Sequence, residues 1–485
     1  MAISDAVPQP RTTIQTGGLL IGGAAFLLMR MTAPPETLSF DAWVVAALAV
    51  LMIIWWVTEA VPIAATALAP MAILPFFGVL PLKVASAQYM SPVIVLLMAG
   101  FIIARAIERW GLHERIALFV VDNVGTRPPA LIAGFMLSAA ILSMWISNTA
   151  TALMMTPIAL SVASAVLGGR SLGAPFTTAL LLSVAYACSI GGLATPVGSP
   201  TNLIVIGYLA EQGVEVSFAQ WMLYGLPVVL ILLPLAWFVL TAYGTFNSKR
   251  DDAPDPSLVK TTVKNARAEL GKMTAPEKRT LIVFALVAFS WIFRSQLQKI
   301  GALQGLNDQI IAVMGAILLF VVPSGHSESR SAPLLDWQTA ERIPWGVVLL
   351  FGGGLSLAAA ISASGLAAFL AGFFTGLSGI PVFLALLAVT ILVLTLTEFT
   401  SNVATVSALL PMVGAMAIAT GMDLYVLALP LGLAASCAFM LPMATGPNAV
   451  AYGSGRVSIP RMASIGIWVN ICSALVIAGV VYFLR

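Results

Sequence analysis

The chain has 485 residues, 60% of them apolar and only 9% charged, and a formal net charge of +3. Soluble domains carry about 25% charged residues, so the 23 Lys and Arg and 20 Asp and Glu present here cannot cover a water-facing surface. The composition excludes a soluble enzyme, a nucleic-acid binder and a disordered chain. A mean hydropathy of +1.00, with 40 Gly and 29 Pro, fits an all-α polytopic membrane protein with broken helices. Such breaks survive in a bilayer where protein or a water cavity re-satisfies the backbone. Cys188, Cys437 and Cys472 lie in apolar stretches, and His113 and His326 lie far apart in polar loops. Neither a disulfide framework nor a zinc pattern is supported, and no organic cofactor is expected.

A spanning helix takes about 20 apolar residues. Residues 1–35 hold a polar start and a helix over 16–33, read as a retained span and not a signal peptide. Spans at 42–58, 60–80 and 92–110 follow, then an apolar stretch at 129–167, then spans at 175–209 and 220–246. The polar segment 247–279 separates these from spans at 280–297, 308–323 and 345–363, a second long stretch at 380–420, and spans at 424–453 and 461–484. That gives about eleven transmembrane helices. The stretches 129–167 and 380–420 are each interrupted midway by a polar tripeptide. Each reads as two half-length helices around a tight turn, a re-entrant hairpin.

Segment 247–279 carries Lys249, Arg250, Lys260, Lys264, Arg267, Lys272, Lys278 and Arg279, which places it in the cytoplasm. Alternation then puts Arg11, Arg105, Arg109, Arg115, Arg127, Arg170, Arg330, Arg342, Arg456 and Arg461 on the same side, and Arg30, Lys83, Arg294, Lys299 and Arg485 outside. Eighteen of the 23 basic residues fall inside. The protein is expected in the cell (inner) membrane, N-terminus cytoplasmic and C-terminus external, in contact with membrane lipid. Trp55–Trp56, near the cytoplasmic end of the second span, fit an interfacial aromatic belt.

The two halves repeat each other. Ser147-Asn148-Thr149-Ala150-Thr151 recurs as Ser401-Asn402-Val403-Ala404-Thr405, offset 254, and Pro157/Pro411 and Gly111-Leu112/Gly365-Leu366 keep that offset. Pro92/Pro344 and Gly100/Gly352 match at 252. A second polar break follows each motif: Ala194-Thr195-Pro196-Val197-Gly198-Ser199-Pro200-Thr201-Asn202, and Ala444-Thr445-Gly446-Pro447-Asn448. Five spans lie between the two Ser-Asn motifs. Five is odd, so the hairpins enter from opposite sides and the repeats (36–246 and 280–485) are inverted. Inverted repeats with discontinuous helices place a substrate site near the bilayer midplane, the architecture of a secondary transporter.

Each hairpin turn ends one half-helix and begins another. The starting helix offers N–H groups without intrahelical partners and a slightly positive end, a ready anion site. The carbonyls ending the preceding half-helix suit a hard cation. No Lys or Arg lies in these motifs, so an anion would be held by neutral donors and by bound cations. Ser143 lies four residues before Ser147, and Thr397 four before Ser401. On a helix, residues four apart share a face, so each pair could meet one cation. Capping alone accounts for a single Ser-Asn motif, but not for two in register inside apolar stretches. Glu398, an intramembrane acid, reads as an orienting hydrogen-bond partner for the hairpin; Glu59 reads as a solvated or backbone-bonded helix end. Gly352-Gly353-Gly354 reads as close helix packing.

At these motifs the chain resembles the divalent anion/sodium symporter family, which includes the bacterial and animal di- and tricarboxylate transporters. The resemblance rests on Leu142-Ser143-Met144-Trp145-Ile146-Ser147-Asn148-Thr149-Ala150-Thr151, on Thr397-Glu398-Phe399-Thr400-Ser401-Asn402-Val403-Ala404-Thr405, and on the two later breaks. It implies a homodimer. A scaffold domain, here the spans at 42–110 and 280–363, would make the dimer contact. A transport domain, made of the hairpins and their following spans, would move as an elevator. It implies a first sodium site at Ser143, Ser147, Asn148 and Gly198, and a second at Thr397, Thr400, Ser401, Asn402 and Ala444. The carboxylate-binding positions would be Asn148, Thr149, Ser199, Asn402, Val403 and Gly446. Val403 stands where bacterial relatives commonly carry Thr, and Gly446 where many members carry Pro.

Sodium-coupled symport of a C4-type dicarboxylate such as succinate, malate or fumarate is the expected function. Alternatives within transport are a sodium-independent dicarboxylate exchanger, or a symporter of citrate or sulfate. An anion channel would need a continuous polar path, often with basic rings. An intramembrane enzyme built on Ser199 would need a base that no nearby His supplies.

Overall fold

In a computed structural model the described residues are 10–125, 127–167, 175–246, 261, 264–265, 267–327, 329–377 and 379–485. Arg170, Lys249, Arg250 and Lys260, and with them most of the expected cytoplasmic linker, lie outside them. Helix dominates, and the β pairing among the described residues is limited to isolated bridges in the loop around Pro323–Pro333.

Seven helical runs among the described residues are long and apolar enough to cross a membrane. These are Thr13–Met31, Phe40–Thr58, Leu82–Arg109, Phe218–Gly244, Trp345–Ser364, Asn402–Thr420 and Ile459–Leu484. Three of the other expected spans are divided, 175–209 and 424–453 at the polar breaks that made them read as broken helices. Segment 60–80 is two short helices, Ile63–Thr66 and Ala69–Phe76. Segment 175–209 splits into Pro175–Gly191 and Pro200–Glu211, and 424–453 into Leu424–Ala435 and Gly446–Gly453. Prolines near the start of Pro200–Glu211 and Gly446–Gly453 explain both restarts: they lack an N–H that a continuous helix would need.

The hairpins are Pro128–Ser143 with Asn148–Leu167, and Val382–Thr397 with Asn402–Thr420. Their arms are not half-length. Arms of 16 and 20 residues, or 16 and 19, are about 24 to 30 Å long. The sequence break marks the turn but not the depth of the arms, because helix length is set by the whole apolar run on either side.

Two further readings change. Trp56 is 1% exposed and its indole N–H donates to the Ile63 carbonyl, so it is core and not part of an aromatic belt. His113 sits in the first turn of an additional helix, Leu112–Val124, not in a loop. Leu112, Ala117, Leu118 and Val121 form the buried stripe of that helix, at helical spacing.

The glycine run packs as expected. A Cβ on Gly353 would lie 2.3 Å from the Ala67 carbonyl oxygen, and one on Gly352 would lie 2.2 Å from the Tyr89 ring. Helix Trp345–Ser364 therefore closes directly on the short broken helices. The loops assigned to one membrane face also join one another. Arg105 donates to the Arg342 carbonyl, Arg109 pairs with Asp336, Arg115 with Glu277 and Arg267 with Asp122. Elsewhere Arg294 pairs with Asp308 at 3.0 Å, and Asp308 also accepts from the Phe218 N–H at 2.8 Å.

Candidate functional site

Both hairpin tips and both later breaks line one cavity of about 650 Å³. Ser147, Asn148 and Thr149 come from the first tip, and Thr400, Ser401, Asn402 and Val403 from the second. Ser199 and Thr201 come from the first broken helix, and Ala444, Thr445 and Gly446 from the second. Four helices begin at this cavity: Asn148–Leu167, Pro200–Glu211, Asn402–Thr420 and Gly446–Gly453. Each helix start carries about half a positive charge, while Pro128–Ser143, Pro175–Gly191, Val382–Thr397 and Leu424–Ala435 end just before these restarts with the opposite sign, so anion-binding N–H groups and cation-binding carbonyls meet here without a basic side chain. Among the described residues no Lys, Arg or His lines the cavity, and the one charged lining residue is Glu59.

The tips differ in detail. Ser147 Oγ accepts from the Ala150 N–H at 3.2 Å and caps its own helix. Ser401 makes no side-chain cap, so the first N–H groups of the helix it precedes stay available. The expected i,i+4 pairs do not share a helical face, because the first arms end at Ser143 and Thr397 and the chain turns before Ser147 and Ser401. Ser143 and Thr397 are instead fully buried behind the tips. The Asn148 amide N–H₂ faces Ser143 Oγ (2.6 Å) and the carbonyls of Cys188 (3.1 Å) and Gly198 (3.2 Å). Thr397 Oγ1 lies 2.7 Å from Asn402 Oδ1 and 3.0 Å from the Ala435 carbonyl. Thus Ser143, Asn148 and Gly198 come together with Ser147 nearby on the tip. Thr397 and Asn402 do so in the other repeat, where Thr400, Ser401 and Ala444 line the cavity beside them.

The later breaks have a shared construction that the sequence motifs obscured. Asn202 Nδ2 donates to the carbonyls of Gly192 and Thr195, both at 2.8 Å. Asn448 Nδ2 donates to those of Ala438 and Leu441, both at 3.0 Å. The offset is 246 throughout. Ser199-Pro200-Thr201-Asn202 therefore matches Thr445-Gly446-Pro447-Asn448, and the two Ala-Thr pairs that open the motifs are not equivalent. In both breaks a buried amide tacks the restarted helix to the carbonyls that its predecessor left open.

One asymmetry stands out. Around the first break, the N–H groups of Gly192, Leu193 and Ala194 bond to carbonyls of their own turn. Around the second they cannot, since the helix stops at Ala435, and the Glu398 carboxylate takes their place. It accepts from the N–H groups of Phe439 (2.8 Å), Met440 (3.0 Å) and Leu441 (3.0 Å) and from Asn470 Nδ2 (2.7 Å). Glu398 is 4% exposed and orients the hairpin, as its position suggested.

Other parts had no sequence signal. Ser199, Thr201 and Ser436 hydroxyls form a buried triangle with edges of 2.8, 2.9 and 3.0 Å, joining the two repeats. Trp145, in the first tip, stacks on Phe218 and Trp291 and meets Phe284 edge-on. Gly446 touches the opposite tip: a Cβ there would lie 1.9 Å from Thr149 Oγ1. Among the described residues no cluster of His, Cys, Asp and Glu could hold a metal ion, and apart from the Glu398 carboxylate, whose oxygens are taken up by backbone N–H groups and Asn470, the oxygens near the tips are neutral hydroxyls, amides and carbonyls.

The chain is 41% identical to a sodium-dependent dicarboxylate transporter of Staphylococcus saprophyticus over 97% of its own length and 91% of that protein's. It is 39% identical to a Staphylococcus aureus protein of the same name, covering 98% and 92%. Two solved membrane transporters share the fold at low identity. Neisseria gonorrhoeae MtrF gives a TM-score of 0.59 at 14% identity over 93% of this chain and 97% of its own. Alcanivorax borkumensis YdaH gives 0.57 at 13%, over 92% and 98%. The profile of the sodium:sulfate symporter transmembrane region matches residues 15–484, and the chain, an all-helical multi-pass membrane protein, belongs to that family.

Proposed function

We propose that the protein is a secondary transporter that carries a C4-type dicarboxylate together with sodium. The observation that carries this reading is the convergence of four helix starts on one cavity free of basic side chains. Their open N–H groups suit an anion with a carboxylate at each end. Its two carboxylates would meet the open N–H groups of the two tips, Asn148 and Thr149 on one side and Asn402 and Val403 on the other, with Ser199 and Gly446 between them. Sodium ions, as co-transported cargo, would sit behind the tips: one among Ser143, Ser147, Asn148 and Gly198, the other among Thr397, Thr400, Ser401, Asn402 and Ala444. Neutral oxygens suit a hard monovalent cation. The bound cations would then strengthen the hold on the anion, which couples the two flows. The names of the staphylococcal relatives support the same cargo.

The homodimer, the scaffold and transport domains and the elevator motion are part of this proposal, and so are a cytoplasmic N-terminus and an inner-membrane location. The loop-to-loop contacts support a common face for Arg105, Arg109, Arg115, Arg267 and Arg342. Thr12, Gln15 and Trp56–Glu59 are among the lining residues, and with that part of the chain assigned to the cytoplasmic face the cavity would open toward the cytoplasm. Nothing in the cavity has the paired nucleophile and base of an enzyme.

The test is uptake of labelled succinate into proteoliposomes with sodium or with choline outside. Sodium-dependent, saturable uptake is expected; equal uptake in choline would refute the coupling. The family's sodium:sulfate description favours sulfate as a second candidate. Competition between succinate and sulfate decides between them, since sulfate is tetrahedral and shorter.

A further inference from the structure

Glu59 stands apart in two independent ways. It is the one charged residue among the described residues lining the cavity. It is also the one described non-glycine residue with a positive φ, at φ 49° and ψ 32°, where helix Phe40–Thr58 ends. Glycine or asparagine would hold that left-handed backbone at lower cost, and strained residues kept at a site point to a role there. The side chain is exposed and makes no ion pair or hydrogen bond among the described residues. The other described lining residues from the same part of the chain, Thr12, Ile14, Gln15, Trp56, Val57 and Thr58, are uncharged. A carboxylate at the entrance of an anion site works against the anion and in favour of cations.

We propose that Glu59 is an electrostatic gate that orders binding. It concentrates sodium at the cavity mouth and holds back the dianion until cations have entered and cancelled its field. This rests on the dicarboxylate–sodium reading above, and it assigns the ordering to one residue on one face of the membrane.

The size of the effect follows from the cavity. A sphere of 650 Å³ is about 11 Å across, so the charge acts over about 10 Å. In a water-filled mouth, Coulomb's law gives about fourfold in affinity for a dianion and about twofold for sodium, with opposite signs. Glu59→Gln should lower the half-saturating succinate concentration about fourfold and raise that of sodium about twofold at low ionic strength. Both shifts should appear only when ligand is presented to the face on which Glu59 lies, measured by comparing right-side-out with inside-out vesicles. Both should shrink toward wild type as choline chloride takes the Debye length from about 30 Å to about 3 Å. Glu59→Asp should behave as wild type. Glu59→Asn, which suits the left-handed backbone, should reproduce Glu59→Gln even if the latter assembles poorly. Shifts that ignore salt, that appear equally on both faces, or that Glu59→Asp also shows would overturn the gate. Sodium-driven uptake by the unaltered protein, measured alongside, tests the cargo reading separately.

Discussion

Glu398→Gln gives the sharpest test of how the second repeat is built. The carboxylate accepts from three consecutive backbone N–H groups and from Asn470. A glutamine retains one acceptor oxygen, sufficient for two of these four donors, and turns an N–H₂ toward the rest. Hydrogen bonds to a charged group contribute about 1.5–3 kcal/mol each, so losing two costs about 3–6 kcal/mol. Removing a buried charge offsets part of this, and the expected net loss is about 3 kcal/mol. Thermal unfolding of the purified protein should show a Tm lower by several degrees. The half-saturating sodium concentration should rise, because Glu398 ties the turn carrying Thr400 and Asn402 to the segment leading into Ala444. A Tm within about 1 °C of wild type with unchanged sodium activation would refute the reasoning. A proton carrier at this position would instead alter the pH dependence of uptake while leaving Tm in place.

Gly446→Ala places a methyl group 1.9 Å from Thr149 Oγ1 and should abolish uptake; adding Thr149→Ala should restore part of it, because the Thr149 Cβ, at 2.9 Å, stays in the way. Asn148→Ala and Asn402→Ala should each abolish uptake. The first should also lower Tm, since Asn148 bonds buried carbonyls, and normal transport by either variant would displace the site. Asn202→Ala and Asn448→Ala should destabilise by similar amounts, about 2–3 kcal/mol each for two lost bonds to buried carbonyls; unequal Tm shifts would break the proposed equivalence of the two breaks. Val403→Thr should change the succinate-to-sulfate preference more than the sodium dependence, and competition assays at fixed sodium would show it.

Much of this molecule was legible in its residues, for reasons of range. The Ser-Asn repeats, the proline restarts and the Gly352–Gly354 packing are local or strictly periodic, so the chain declares them. Glu398 was readable because an acid inside an apolar run must find donors nearby. The hydroxyl triangle was not readable: Ser199 and Ser436 are 237 positions apart, and each alone looks like an ordinary cap. The equivalence of Asn202 and Asn448 was hidden by the accidental Ala-Thr pairs, which suggest an alignment four residues away from the structural one. Trp56 misled because a tryptophan at a helix end fits an aromatic belt as well as a core, and the choice depends on the short helix Ile63–Thr66 folding back over it. Arm length misled because a polar break fixes where a helix stops and says nothing of how far its partner runs.

The buried triangle of Ser199, Thr201 and Ser436 constrains any movement of the protein. With the Tyr186 hydroxyl donating to the Phe439 carbonyl, it rivets the broken helix of one half to that of the other. Neither half can slide past its twin without stripping hydroxyls bare in a dry interior. In the proposed elevator motion the cradle would then travel as a single casting, and the flexing would fall at the seams with the surrounding helices.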